Sequence, residues 1–133
     1  MIRTLEVFGE LDELGHPEEF TWDLFPVVES NKTQHLDDNG LPRKGTRIDP
    51  GMIVVGKIGK SREFDPSCQP SALEIQGLSR SELSKKYGAM WKDGSLYADP
   101  SMTGIVKEAH MEDRDARRCA VVVISSGGHE NAT

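Results

Sequence analysis

Residues 40–61 read GLPRKGTRIDPGMIVVGKIGKS and carry the strongest structural pattern in the chain. Pro50-Gly51 predicts a tight turn, because proline fixes φ and glycine accepts a positive φ. The apolar run from Met52 to Ile58 that follows is typical of a buried strand. Gly45 and Gly51 lie on either side of a short extended piece, and this spacing favours a small β-barrel or barrel-sandwich hybrid.

Strand patterns continue on both sides of that segment. Short β-branched or aromatic runs bounded by turn residues predict four further strands, at Ile2–Phe8, Ser95–Ala98, Thr103–Met111 and Arg117–Ile124. The last two flank the charged turn EDRDA and predict a hairpin. Among the 133 residues, 13 are Gly and 7 are Pro, which favours many turns over long helices. We therefore expect a mainly β fold.

An excursion over residues 59–94 interrupts the strand patterns. Its first part, residues 59–78, has no clean periodicity and reads as a long loop. Ser79 and Glu82 form a capping box that predicts the start of one short helix. Four apolar residues follow at helical spacing on one face: Leu83, Tyr87, Met90 and Trp91. This face either packs on its own domain or is presented to a partner groove, and both interpretations remain open.

The remaining organisation is simple. We expect one domain over residues 1–124 and a polar, disordered tail over residues 125–133. Residues 9–28 are acidic and read mostly as a loop, anchored by Phe20, Trp22, Leu24 and Phe25. Residues 1–40 carry a net charge of −8 and the rest of the chain +2, giving −6 in total. Such an acidic chain is a poor binder of nucleic-acid phosphates by itself.

Several functional classes are not supported by the sequence. Gly51 to Lys57 resembles a phosphate-binding loop, but Ile58 stands where a Ser or Thr must hold magnesium. The four His and two Cys lack the spacing of a zinc site, so we expect no metal, and no pattern points to a catalytic nucleophile or cofactor. No apolar run reaches membrane-spanning length, and no secretory signal is recognisable, so we expect a cytoplasmic protein that has no membrane partner.

The piece DELGHPEEFTWDLFPVVE (12–29) and the turn formed by Leu36-Asp37 and Gly40 are two motifs that occur together in a known family. They resemble T-K-L-G-P-E-E-I-T-R-D-I-P-N-V and the L-D-E-x-G turn of the bacterial RNA polymerase beta subunit. Pro50 to Lys57, PGMIVVGK, resembles the most specific motif, P-G-D-I-L-V-G-K. Further on, Ser95-Leu96 and Gly104-x-Val106 resemble S-L-R-V-P…G-x-V. The resemblance runs in order from about Arg3 to His110.

In that family this region is the flap, or wall, a small β domain over the RNA exit channel. The resemblance implies a role in transcription, with other polymerase subunits as partners and nucleic acid contacted only within the full enzyme. It also implies that residues 81–91 form the tip helix that binds sigma factors, through Leu83, Tyr87, Met90 and Trp91. The family's later G-D-K…G-R-H-G-N-K-G stretch is absent, so we expect no nucleotidyl transfer by this chain alone.

A second hypothesis comes from a different class of protein. The turns around residues 45–56 are compatible with a biotinyl- or lipoyl-like carrier, or with a small interaction module unrelated to transcription. A carrier displays its lysine on a two-residue hairpin. Lys57 lies between Gly56 and Ile58 and lacks that context.

Overall fold

A computed structural model describes residues 1–126 of the chain. Within those residues it has nine strands and two α-helices, so the predicted mainly β fold is confirmed. The strands are β1 (Ile2–Phe8), β2 (Glu19–Phe20), β3 (Arg47–Ile48), β4 (Ile53–Val55), β5 (Lys57–Lys60), β6 (Trp91–Asp93), β7 (Leu96–Tyr97), β8 (Gly104–Arg114) and β9 (Arg117–Ser125). The helices are α1 (Ala72–Gly77) and α2 (Arg80–Tyr87), and single 3-10 turns lie at Ser30–Lys32, Gly88–Met90 and Pro100–Met102.

The largest sheet is antiparallel and has the order β1-β9-β8-β3. The predicted hairpin is confirmed as β8 and β9, which continue as a paired ladder to Arg114 opposite Arg117. The turn between them is therefore only two residues, Asp115 and Ala116, and both have positive φ (51° and 65°). Positive φ at both turn residues gives the twist that matches the strands of a hairpin. This is why β8 runs further than the sequence predicted.

The predicted strand from Met52 to Ile58 is divided into two at Gly56. Gly56 donates its N–H to the Gly40 carbonyl (2.8 Å) and accepts from the Thr21 N–H (3.1 Å), so its backbone groups bind other segments. A Cβ at position 56 would lie 2.5 Å from the Thr21 carbonyl oxygen. The close approach explains the glycine. Because the chain bends here, β4 pairs with β7 while β5 pairs with β2 and β6.

The main core lies between the large sheet and the β4–β7 pair. Its buried members are mostly aliphatic side chains from both layers: Leu5, Leu41, Ile48, Val54, Val55, Ala98, Val106, Ala120, Val122 and Ile124. A second cluster joins Ile53 and Ile58 to Leu24, Val28 and Leu36 of the acidic N-terminal part. The expected anchor role of Leu24 is therefore seen directly, since this side chain is buried in the second cluster.

The structure departs from the sequence prediction in three further places, two in the excursion and one at the C-terminus. Residues 59–78 contain a second helix, α1, so the excursion carries two short helices and not one. The predicted helix over Ser81–Trp91 ends at Tyr87, and Trp91 begins β6. At the C-terminus, Ser125 belongs to β9 and Ser126 donates its N–H to the Met1 carbonyl. The rest of the predicted tail, residues 127–133, lies outside the described residues.

Candidate partner-binding site

The excursion leaves and rejoins the β scaffold at one place. β5 and β6 are antiparallel neighbours, with Lys60 opposite Trp91, so residues 61–90 form an insertion between two paired strands. The buried Ser61 closes its base: its N–H donates to the Met90 carbonyl (2.9 Å) and its hydroxyl to the Ala89 carbonyl (2.5 Å). The Phe64 and Trp91 rings meet edge to face, 5.0 Å between centroids. The two ends of the insertion are thus anchored to the β scaffold.

The four residues predicted to contact a partner share one cluster inside the insertion. Leu83, Tyr87 and Met90 are buried, and Trp91 is half-buried beside them. Phe25, Phe64 and Leu78 pack against this cluster. The helix face thus packs on its own chain, the first of the two interpretations given above. Contact between these four side chains and a partner stays a prediction.

Both helices begin with a capping box. The Ser79 hydroxyl accepts from the Glu82 N–H (3.1 Å) and the Glu82 carboxylate accepts from the Ser79 N–H (2.8 Å), which confirms the predicted start of α2. The same reciprocal pair joins Ser71 and Glu74 at α1. The S-x-x-E spacing at residue 71 is therefore the signal that would have revealed α1 from the sequence.

Glu74 ties the two helices together. Its carboxylate pairs with the Lys86 ammonium and accepts the Tyr87 hydroxyl at 2.5 Å, in addition to its bond at the start of α1. These bonds, led by the one from Lys86, lower the pKa of Glu74 to about 2. The same contacts raise the pKa values of Lys86 and Tyr87. The ionised carboxylate is therefore the form that stabilises the α1–α2 pair.

The exposed apolar surface of the insertion lies on α1. Leu73 is 80% exposed and Ile75 is 58% exposed, and Trp22, in a separate segment of the chain, is 42% exposed. The sequence analysis names Trp22 as an anchor but gives no role to Leu73 or Ile75, because it interprets residues 59–78 as a loop.

Between α1, α2 and residues 22–33 lies a cavity of about 410 Å³. A second cavity of about 430 Å³ adjoins it and shares Phe25, Val28 and Arg80 with the first.

A buried ion pair lies at the root of the insertion. The Lys57 ammonium on β5 pairs with the Glu18 carboxylate, and their side chains are only 9% and 12% exposed. The same carboxylate accepts the Glu10 N–H at 2.9 Å. A Cβ at position 94 would lie 2.1 Å from the other oxygen of the Glu18 carboxylate, so a glycine is required at this position. Lys57 is thus an internal structural group and is not displayed at the surface.

Within residues 1–126 the structure shows no group of three or more side chains placed to hold a metal ion. No helix in the same part of the chain has the length and apolar character needed to span a bilayer.

Sequence comparison relates the chain to known proteins. A sequence profile described as RNA polymerase Rpb2, domain 6, matches residues 1–128. The chain belongs to this family. It is 38% identical over 115 residues to the DNA-directed RNA polymerase subunit beta of Phocaeicola vulgatus, an alignment that covers 86% of this chain and 8% of that protein. It is also 40% identical to the beta subunit of Bacteroides thetaiotaomicron over 97 residues (73% and 7%), and 37% identical to that of Porphyromonas gingivalis over 101 residues (76% and 7%).

The family match confirms that the sequence resemblance points to a region of the beta subunit. The chain spans less than a tenth of the length of these relatives. The insertion between β5 and β6 lies within the matched residues.

Proposed function

We propose that this chain acts in transcription as a flap-like binding domain. In this proposal it associates with other RNA polymerase subunits and, through residues 81–91 of the insertion, with a sigma factor near the RNA exit channel. Nucleic acid is contacted only within the assembled enzyme, and the chain catalyses nothing alone. The corresponding location is the cytoplasm, where the polymerase works.

The observation that carries the proposal is the two-helix insertion between β5 and β6 in a member of this family. A β scaffold positions the insertion at both ends, through the β5–β6 pairing and through Ser61. Such an arrangement presents a small surface in a fixed orientation, and pre-organisation lowers the entropic cost of binding. Leu83, Tyr87, Met90 and Trp91 act in this proposal by ordering the helix and shaping the surface that the partner contacts.

Binding of a purified sigma factor tests the proposal. The primary sigma factor of Bacteroides thetaiotaomicron, whose beta subunit resembles this chain, is titrated into the purified chain by isothermal calorimetry. We expect saturable binding by the unmodified chain. We expect loss of binding for the variant that combines Tyr87→Ala with Met90→Ala, with circular dichroism showing that the β scaffold persists. Absence of binding by the unmodified chain would contradict the sigma-binding role.

The carrier hypothesis finds no comparable support. A carrier lysine must be displayed to a modifying enzyme, whereas Lys57 is buried and paired with Glu18. The two-residue turn of the β8–β9 hairpin consists of Asp115 and Ala116, so this hairpin displays no lysine for a modifying enzyme. The intact mass of the chain after expression with biotin or lipoate is expected to equal that of the unmodified sequence.

A further inference from the structure

The two cavities lie side by side between the same two walls. One wall is made by α1 and α2, and the other by residues 22–33, so we call the two cavities together the 22–33 groove. Phe25, Val28 and Arg80 line both cavities, and the contact of Arg80 with the Phe25 ring lies where the cavities meet. Buried side chains of Leu24 and Leu83 contribute to the lining of the first cavity. The groove therefore opens directly onto the hydrophobic interior of the insertion.

The rim of the groove exposes large apolar side chains. Trp22 on one wall and Ile75 on the other remain 42% and 58% exposed although both line the first cavity. Single exposed apolar residues are ordinary on protein surfaces, but an apolar rim over an apolar cavity marks an interaction site. An aromatic ring at the rim is also the kind of residue that anchors protein interfaces.

The two walls of the groove carry opposite charges. Arg80 lies over the Phe25 ring, 4.7 Å from its centroid, and Lys85 lines the second cavity beyond it. On the opposite wall, Asp23 lines the first cavity and Glu29 the second. Within residues 1–126, none of these four side chains forms an ion pair. The α2 wall is thus basic and the 22–33 wall is acidic.

We propose that the 22–33 groove binds an amphipathic helix of a partner protein. The apolar face of that helix covers Trp22 and Ile75. Its acidic edge lies along Arg80 and Lys85, and its basic edge lies along Asp23 and Glu29. This assignment rests on the proposed function, because it names the surface through which the insertion holds its partner.

A helix fits the groove better than an extended strand. Strand addition requires the free edge of a sheet, whereas neither wall of the groove contains a strand. A helix with one apolar face brings side chains at i, i+3, i+4 and i+7 into such a groove. The opposite charges of the two walls also fix the direction of the bound helix, because reversing the helix would place each charged edge against a wall of the same sign.

Three designed peptides test the charge pattern. Each has 15 residues and the same leucine face; the first carries Glu along one edge and Lys along the other, the second Glu along both edges, and the third Lys along both. Binding is measured from the change in tryptophan fluorescence of the full chain. We expect the mixed peptide to bind at least about fivefold more tightly than either uniform peptide, since only this peptide complements both walls. Preference for the all-Lys peptide would mean attraction by the overall negative charge and would overturn the assignment.

Two variants of the chain locate the site on α1. Ile75→Ser removes an apolar side chain from the rim and is expected to weaken binding of the mixed peptide at least about fivefold. Leu73→Ser is the matched control, because Leu73 is exposed on the same helix and lines neither cavity. Both positions are exposed, so both variants are expected to fold. Equal effects of the two substitutions, or no effect of Ile75→Ser, would overturn the groove assignment.

The same variants separate this inference from the sigma-binding proposal. If the sigma factor binds and Ile75→Ser does not weaken it, the proposed function stands and the groove assignment fails. If no sigma factor binds but the mixed peptide binds with the expected variant pattern, the groove assignment stands and its partner is a different protein. If Ile75→Ser weakens binding of both the sigma factor and the mixed peptide, while Leu73→Ser weakens neither, the result supports both the proposed function and the groove assignment.

Discussion

Replacing Lys57 with methionine is expected to destabilise the whole domain. The substitution removes the cation from a pair whose two side chains are 9% and 12% exposed, and it leaves the Glu18 carboxylate buried with a single neighbour donor, the Glu10 N–H. Removing one partner of a buried ion pair costs about 3 to 5 kcal/mol, because the remaining charge keeps its desolvation penalty. At roughly 3 to 5 °C per kcal/mol for a chain of this size, the thermal midpoint falls by about 10 to 25 °C.

Thermal unfolding followed by circular dichroism measures this effect. The matched control is Lys92→Met, because Lys92 pairs with Glu13 at 3.3 Å while its own side chain is 63% exposed. An exposed pair contributes about 0 to 1 kcal/mol, so this midpoint is expected to change little. Combining Lys57→Met with Glu18→Gln removes the stranded charge and is expected to recover much of the loss. Equal midpoints for the two single lysine variants would refute the role assigned to the buried pair.

Three further predictions concern the insertion and the turns. Glu74, with its pKa lowered from 4.5 to about 2, contributes stability that is present above pH 4.5 and is lost as the pH falls toward 2. Glu74→Gln is therefore expected to weaken the α1–α2 pair at pH 7 and to reduce its dependence on pH between 4.5 and 2, measured by amide exchange of residues 72–87. Leu83→Ala is expected to cost about 2 to 5 kcal/mol in the packing of the insertion, detected by the same exchange, and unchanged protection would contradict the burial. Gly40→Ala should lower the thermal midpoint far more than Gly51→Ala: both glycines have positive φ, but a Cβ at position 40 would lie 2.4 Å from the Gly56 carbonyl oxygen and one at position 51 meets open space.

The strands were the most predictable part of the structure. β1 has both bounds that the sequence predicted, and β8 and β9 form the predicted hairpin. Their alternation and their turn residues are local properties, so short windows of sequence contain the information. The capping box at Ser79 is local in the same sense and gave the start of α2.

The candidate site was predictable only in part. Sequence reasoning found an apolar face over residues 81–91, and the structure buries Leu83 and Tyr87 of α2 and Met90 of the following turn against Phe25 and Phe64. The exposed rim residues Trp22 and Ile75 are 53 positions apart in the chain, and they line the same cavity because the insertion packs beside residues 22–33. No periodicity within either segment could have indicated that they share a groove.

The amino-acid sequence alone determined the mainly β class, the hairpin, the capped helix and the family. These features depend on backbone preferences and on motifs that extend over a few neighbouring residues. The tertiary structure decided which side of the insertion is buried, where Lys57 finds its counter-ion, and which charges form the two walls of the groove. Burial and electrostatics depend on distances in space, and those distances are fixed when remote segments pack together.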